Sequence, residues 1–569
     1  MTVIRSIIDK LIYNDEYQTI DEHLTDSNVG ARKNRNIRDN IFVINAILHN
    51  VKKRNLKDID ITIYDAEKCF DKLWSTECFN DIYENGFKND KLSLLYNINK
   101  NANIAIKNRR GIGERTTICD TIMQGTVWGS LLCTSTIDCL GKKCYKMPEQ
   151  LYEYKGVKIP PLGMVDDIIS VTNVNQTHNM NITINTFIES KKLRLSKKKC
   201  FQIHIGNGHD NCPKLNVHED NMKEANSEKY LGDIIDKKDS MQATIENRKS
   251  KGQGIVSEIL SIIEEIPLGK HTTTVGLKLR EVMLLNGILF NSEAWHGVTK
   301  KQIKSLEVID QQLLRGILKA HSKTPSEFLY LETGATPIGW IIAQRRVNYL
   351  KCILEKDENE LVKKVYLAQQ KGPVTGDFAL LVENDMKSLK VTQTQVETFP
   401  KHDLKKVLKS SANAAAFEEL KSKQGKHNKV KHLVYDKFEI QQYLINPNIY
   451  SSDKHTITAV RSQCVRNIKM NFPKMYKYRL NCPLQCNTET PQPDTQRHLL
   501  NCPKLNKQTS TNLNIDQVNS ISTEQELIAP ILSRIIRLRS RLLDDQEKTS
   551  LPGAILDHST LQQGAAAVS

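Results

Sequence analysis

The chain has 569 residues and carries 81 Lys and Arg against 65 Asp and Glu, a net charge of +16 with histidine neutral. That length allows several cores, and the positive balance suits a phosphate-rich partner while leaving many other basic proteins in play. No run of about 18 apolar residues occurs, so no membrane span is expected; the 13 cysteines are scattered with no secretory signal ahead of them, which points to reduced thiols in a cytosolic or nuclear setting.

Residues 4–13 read as an amphipathic helix, and residues 1–235 then alternate strand-like and helix-like segments, an α+β pattern. Ile59, Ile61 and Ile63 alternate with Asp60, Thr62 and Tyr64, the period of a strand with one buried face. The period then changes: Ala66, Cys69, Phe70, Leu73 and Trp74 follow the spacing of one helix face. Asp65 falls at the handover, where a carboxylate can face a cleft or cap the helix. Further on, 162–165 and 168–171 read as the strands of a hairpin, with Asp166 and Asp167 at its turn. Adjacent carboxylates repel each other and lose hydration in such a place. A divalent cation resolves the conflict, because hard cations take carboxylate oxygens. For the pair alone a solvated acidic turn is the simpler reading; Asp65 supplies a third carboxylate.

From about residue 240 the strand signals fade. Residues 256–263 and 277–285 read as helices, 332–337 as a turn, and 346–480 as mainly helical and lysine-rich, with a loop at 372–376. Cys482, Cys486, His498 and Cys502 give C-x3-C-x11-H-x3-C, spacing that lets two pairs of ligands close on a tetrahedral zinc. His204, His209, Cys212 and His218 lack paired spacing and read as loop residues. Ile528, Ile531, Leu532, Ile535, Ile536 and Leu542 form an apolar helical stripe flanked by Arg534, Arg537 and Arg541. It reads as core packing, with an RNA or partner surface as the alternative. Residues 551–569 are small and polar, a disordered tail.

Several of these segments resemble the motifs of reverse transcriptases, in the family's order. Tyr64-Asp65-Ala66-Glu67-Lys68-Cys69-Phe70-Asp71-Lys72-Leu73-Trp74 resembles the first palm motif, and Gln124-Gly125-Thr126-Val127-Trp128-Gly129-Ser130-Leu131-Leu132 the Gln-Gly…Ser-Pro-Leu-Leu motif. Met164-Val165-Asp166-Asp167 is similar to the aromatic-X-Asp-Asp box. Leu193-Arg194-Leu195-Ser196-Lys197-Lys198-Lys199-Cys200 resembles the lysine-bearing motif, and Tyr230-Leu231-Gly232 the primer grip. Asn28-Val29-Gly30-Ala31-Arg32-Lys33 resembles the fingers motif of the non-LTR (LINE-type) retrotransposon polymerases, whose zinc knuckle the CCHC pattern also resembles. The likeness runs from about residue 5 to 502. Against that subgroup the sequence reads as N-terminally truncated in the fingers. Met164, Leu131 and Ala31 depart from the usual aromatic, proline and aromatic.

The resemblance implies a right-hand polymerase of fingers, palm and thumb with a ferredoxin-like palm. Partial fingers and palm would occupy 1–235, a helical thumb 236–345, a helical basic region 346–480 and a CCHC zinc knuckle 481–504. An amphipathic helix and disordered tail would fill 505–569. It implies an RNA-directed DNA polymerase that adds deoxynucleotides to a DNA primer 3′ end. In that chemistry Asp65 and Asp166 would ligate two Mg²⁺ (or Mn²⁺), with Asp167 in support, and Lys199 would give a proton to the departing pyrophosphate. Ala66 would contribute its carbonyl, Phe70 a steric gate against the 2′-hydroxyl, and Gln124 and Gly125 a nucleotide pocket. Arg32 would contact triphosphate or template, and Tyr230, Leu231 and Gly232 the primer end. Cys482, Cys486, His498 and Cys502 would hold structural Zn²⁺. The implied partners are an RNA template, a DNA primer or target DNA, and deoxynucleoside triphosphates, in a nuclear or cytoplasmic ribonucleoprotein that is not secreted. The alternatives are a catalytically inactive nucleic-acid-binding remnant and a maturase-like RNA-binding protein.

Overall fold

The computed structural model describes residues 3–56, 58–100, 102–118, 126–206, 214–265, 271–465, 482, 484, 486, 496–509 and 525–549. The chain divides into two compact units. One comprises Met1–Lys251, Ile288–Leu306 and Ile338–Ala412; the other comprises Gly252–Gly287, Glu307–Pro337 and Asn413–Ser569. Neither follows the contiguous segments 236–345 and 346–480, because packing partners rather than chain order decide which helices share a core. Among the described residues no helix is long and apolar enough to cross a membrane.

The first unit is built on a five-stranded sheet. Helices α1 (Val3–Glu22) and α2 (Ile37–Arg54) precede strand β1 (Ile59–Tyr64). Then come α3 (Cys69–Lys72), α4 (Ser75–Glu84) and α5 (Val127–Tyr145), and the hairpin β2 (Leu162–Met164) and β3 (Asp167–Asn173). Helix α6 (Val174–Ser190), strand β4 (Phe201–Ile205) and the short β5 (Lys223–Glu224) complete it. The strand order is β5-β4-β1-β3-β2, antiparallel except between β4 and β5. Strands β1 to β4 with their crossover helices form the β-α-β-β-α-β arrangement of ferredoxin-like folds. Its central strand has Ile61 opposite Val171 on one side and Ile203 on the other.

Two expectations about this region are corrected. Strand β1 is buried on both faces, not one. Two of its polar residues are satisfied internally: Asp60 accepts from Thr177 Oγ1 at 2.7 Å and pairs with His204 Nδ1 at 2.9 Å, and Tyr64 donates to Asn181 Oδ1 at 3.1 Å. Alternation of polarity therefore marked two different cores, one under α2 and one under α5 and α6. The continuous helix read across 66–74 is likewise broken. Ala66 is tied in a β-bridge to Leu195, Lys68 takes a left-handed conformation and helix α3 lasts four residues. Leu73 then turns extended and buries itself, while Trp74 is exposed under the Lys192 ammonium, 3.6 Å from its ring.

The second unit is helical. Ile528, Leu532 and Ile535 of the helix Gln525–Thr549 are buried, and Arg534, Arg537 and Arg541 are exposed, so the apolar stripe is a core face. A π-helical turn at Arg280–Leu285 carries Arg280 into the interior, where its Nε and Nη2 meet Asp310 at 2.5 and 2.7 Å. Glu332 is fully buried and held by Arg461 and by the Tyr435 hydroxyl at 2.7 Å. Buried charges persist when they are paired in this way.

Candidate active site

Asp65 directly follows β1, and the register of Tyr64 against Ile168 continues so that Asp65 falls beside Asp167 at the start of β3. Asp166 occupies the two-residue turn between Met164 and Asp167, so three carboxylates gather at one end of the sheet. A fourth segment is brought to them by the backbone. Ser196 donates to the Asp65 carbonyl at 2.8 Å and Glu67 donates to the Arg194 carbonyl at 2.8 Å. A turn closing on Ser196 then delivers Lys199, whose Nζ lies 3.0 Å from Asp65 Oδ2. Asp65 is thus not a helix N-cap; the helix that follows begins four residues later.

The electrostatics are those of an acidic cluster short of positive charge. Burial, and then the charge of Asp65, raises the Asp166 carboxyl above its ordinary range. Asp167 keeps an exposed face, yet loss of hydration in the cleft together with the charges of Asp166 and Asp65 pushes it up to about 6. Lys199, largely exposed, is held protonated by its bond to Asp65. Asp65 Oδ1 is buried and meets no hydrogen-bond donor among the described residues. An orphaned carboxylate oxygen beside two strained acids fits a hard divalent cation, whose ligands are oxygens.

The remaining expected residues fall in several places. Ala66 is buried in its bridge to Leu195. Phe70 is half-buried on α3 against the core under α5. Leu131 lies in the interior of α5, fully buried, at a position where proline would cost a helical hydrogen bond. Gln124 and Gly125 lie outside the described residues, as do His209 and Cys212.

Arg32 requires correction. Its side chain is buried and committed: Nε meets Asp21 Oδ1 at 2.6 Å, Nη2 the Asp21 carbonyl at 3.1 Å, and Nη1 the carbonyls of Thr25 and Asn28. It braces the turn instead of presenting a charge. Of the three cations lining the adjoining cleft of about 370 Å³, together with Tyr13 and Met164, Lys33 and Arg35 are more exposed than Arg32, and Arg35 pairs with Glu360 at 3.2 Å. Both sit within or next to the fingers segment, and their greater exposure is a tertiary property that the motif does not encode.

Tyr230, Leu231 and Gly232 form a hairpin of β6 (Ser227–Tyr230) and β7 (Asp233–Asp236). Leu231 and Gly232 take φ of 43° and 98°, the left-handed pair that tight two-residue hairpin turns need. The Tyr230 side chain is corrected to a core residue at 2 % exposure, so only the turn is free to meet a primer. The hairpin is anchored by the buried Asp233 carboxylate, which accepts from Arg248 at 2.9 Å and from Trp295 Nε1 at 3.2 Å. Arg248 also donates to the Gly232 carbonyl at 2.9 Å, and Asn291 to that of Leu231 at 3.0 Å. Sequence reasoning missed this anchor, since Asp233 and Arg248 stand in no motif.

In the second unit Cys482, Cys486, His498 and Cys502 place one ligand atom each within 4.8 Å of all the others. His498 lies on the helix Gln496–Asn501, and the Cys502 carbonyl accepts from Leu505 at the start of the helix Pro503–Thr509. Hydrogen bonding from Cys502 and then His498 draws the Cys482 thiol down to about 3. Three sulfurs and one imidazole nitrogen so close together suit a tetrahedral zinc.

The family described as reverse transcriptase (RNA-dependent DNA polymerase) matches residues 1–235. This part of the chain is a reverse transcriptase domain. A search of curated proteins returns no match. Solved structures with some likeness include apo telomerase from Candida tropicalis, at 15% identity and a TM-score of 0.32 over 64% of this chain and 60% of that one. Telomerase from Candida tropicalis in complex with a TWJ fragment of telomeric RNA aligns at 13% identity and a TM-score of 0.33, over 72% of this chain and 56% of that one. Telomerase from Candida albicans with the same kind of fragment gives 11% and 0.31, over 70% and 56%. The chain thus spans less than two thirds of each.

Proposed function

We propose that this protein is the RNA-directed DNA polymerase of a non-LTR retrotransposon, extending a DNA primer on an RNA template. The observation that carries the reading is the gathering of Asp65, Asp166 and Asp167 at one sheet end, with Asp65 Oδ1 buried and unserved. Asp65 and Asp166 would hold two magnesium ions, with Asp167 in support. Bound there, the two ions would stabilise the attacking and leaving oxygens of an in-line phosphoryl transfer. Lys199 holds a proton beside Asp65, available to the departing pyrophosphate. Phe70, half-buried on α3, is the residue to exclude a 2′-hydroxyl, and the Leu231–Gly232 turn is the part of its hairpin to meet the primer. The four residues of the Cys482 cluster would hold structural zinc.

Primer extension on an RNA template with a DNA primer and Mg²⁺ or Mn²⁺ tests this. Extension by the parent chain and none by Asp166→Ala/Asp167→Ala is the expected result. No extension by either, with tight salt-sensitive template binding, would mean a protein that only holds nucleic acid.

A further inference from the structure

The aspartate turn is held in an unusual backbone conformation by a residue far away in sequence. Val165, between Met164 and Asp166, has φ of 60°. A β-branched side chain rarely tolerates this left-handed region, and such a residue keeps it only where its surroundings impose it. Here the two-residue hairpin turn between Met164 and Asp167 calls for that conformation, and Asn28 holds it in place. Its Nδ2 donates to the Val165 carbonyl at 3.0 Å, and its Oδ1 accepts from the Val165 amide at 3.2 Å and from the Gly30 amide at 2.9 Å. Asn28 is 1% exposed.

The contact is a built one. The segment containing Asn28 adds itself to β2: Gly163 donates to the Ser27 carbonyl at 2.7 Å, and Val29 donates to the Gly163 carbonyl at 3.0 Å. Both glycines are needed for the approach. A Cβ on Gly163 would stand 2.7 Å from Asn28 Nδ2, and one on Gly30 would stand 2.4 Å from the Val165 backbone nitrogen. Buried Arg32 fixes the same loop by donating to its carbonyls, among them that of Asn28 at 3.2 Å.

We infer that Asn28 is a positioning residue for the polymerase reaction: by clamping the Val165 peptide on both sides, it sets where the Asp166 and Asp167 carboxylates stand relative to Asp65. This rests on the polymerase reading above. Asn28 touches neither nucleotide nor metal in this role. A displacement of about 1 Å in reacting groups costs on the order of a hundredfold in rate, so a slackened turn shows first in kcat.

The test pairs kinetics with hydrogen exchange on the full chain. Asn28→Ala should lower kcat for primer extension by about tenfold to a hundredfold, with KM for deoxynucleotide nearly unchanged and the Mg²⁺ concentration for half-activity raised. Adding Val165→Gly should recover most of the loss, because glycine adopts a positive φ without a clamp. A loop-stability role would not be rescued in this way. Exchange of the Val165 amide should accelerate in Asn28→Ala while β1 stays protected, a readout that holds even if the parent chain extends no primer. Asn28→Asp keeps the shape and the acceptor but loses the donor to the Val165 carbonyl. It should also lower kcat, and it serves if the alanine variant misfolds. An unchanged kcat in an active parent, unchanged Val165 exchange, or failure of Val165→Gly to rescue would overturn the inference.

Discussion

Lys199 Nζ lies 3.0 Å from Asp65 Oδ2, although the two residues are 134 positions apart in the chain. The pairing depends on the backbone bridge between Ala66 and Leu195 that precedes it, not on the run of lysines around it. The neighbouring Lys197 pairs instead with Asp220. Lys199→Gln should slow single-turnover extension by about a hundredfold, the size of a lost general acid, with template affinity unchanged. Rapid-quench extension beside a filter-binding titration would check it. Lys197→Gln should have little effect on either.

Asp167 supplies a pH prediction. Its carboxyl is raised to about 6 in the folded protein, above its ordinary 3.8. The folded state therefore binds more protons than the unfolded one between these values, so this group's contribution to stability is present below about pH 4 and lost as pH rises through about 6. Asp167→Asn should raise the melting temperature of the metal-free protein at pH 7.5 by about 1–3 °C, a modest figure because the group is partly solvated. The difference should close at low pH. Differential scanning fluorimetry across pH, with and without Mg²⁺, would show it; Mg²⁺ should stabilise the parent more than the variant.

The grip hairpin depends on one buried ion pair. Arg248 and Asp233 are both almost fully buried, and burial pushes the Asp233 carboxyl up despite the guanidinium beside it. Arg248→Met strands that carboxylate and should cost about 3–5 kcal/mol. Asp233→Asn/Arg248→Met should recover part of the loss by removing the stranded charge. Urea unfolding of the parent and the two variants would measure this.

The Cys482 cluster should carry one zinc per chain, measured by plasma mass spectrometry. Cys486→Ser or a strong chelator should remove it and loosen the helices Gln496–Asn501 and Pro503–Thr509, read as new protease cleavage there. Extension by the reverse transcriptase domain should survive better than the cluster's own fold.

Much of the candidate site was legible because its signals are local. The switch of period at Asp65, the Asp166-Asp167 pair between two apolar runs and the paired Cys and His spacings all involve neighbours within a few residues. What failed were statements about surroundings. Arg32 reads as a free cation but is spent on Asp21 and two carbonyls; Tyr230 reads as a primer contact but fills a core. The 66–74 helix was misread because its pattern holds no trace of the bridge to Leu195.

By itself, then, the sequence determined which residues are candidates for the chemistry and in which local element each sits: a strand-end aspartate, a hairpin-turn pair, a lysine turn, and the C-x3-C and H-x3-C pairs. Only the tertiary structure decided which of them meet and which are already committed. Secondary structure follows from side-chain spacing over a turn or a strand repeat. Burial, ion pairing and the clamp of Asn28 on Val165 are set by segments that the fold brings together, 11 positions apart for Arg32 and Asp21 and 137 for the clamp, and no local periodicity records them.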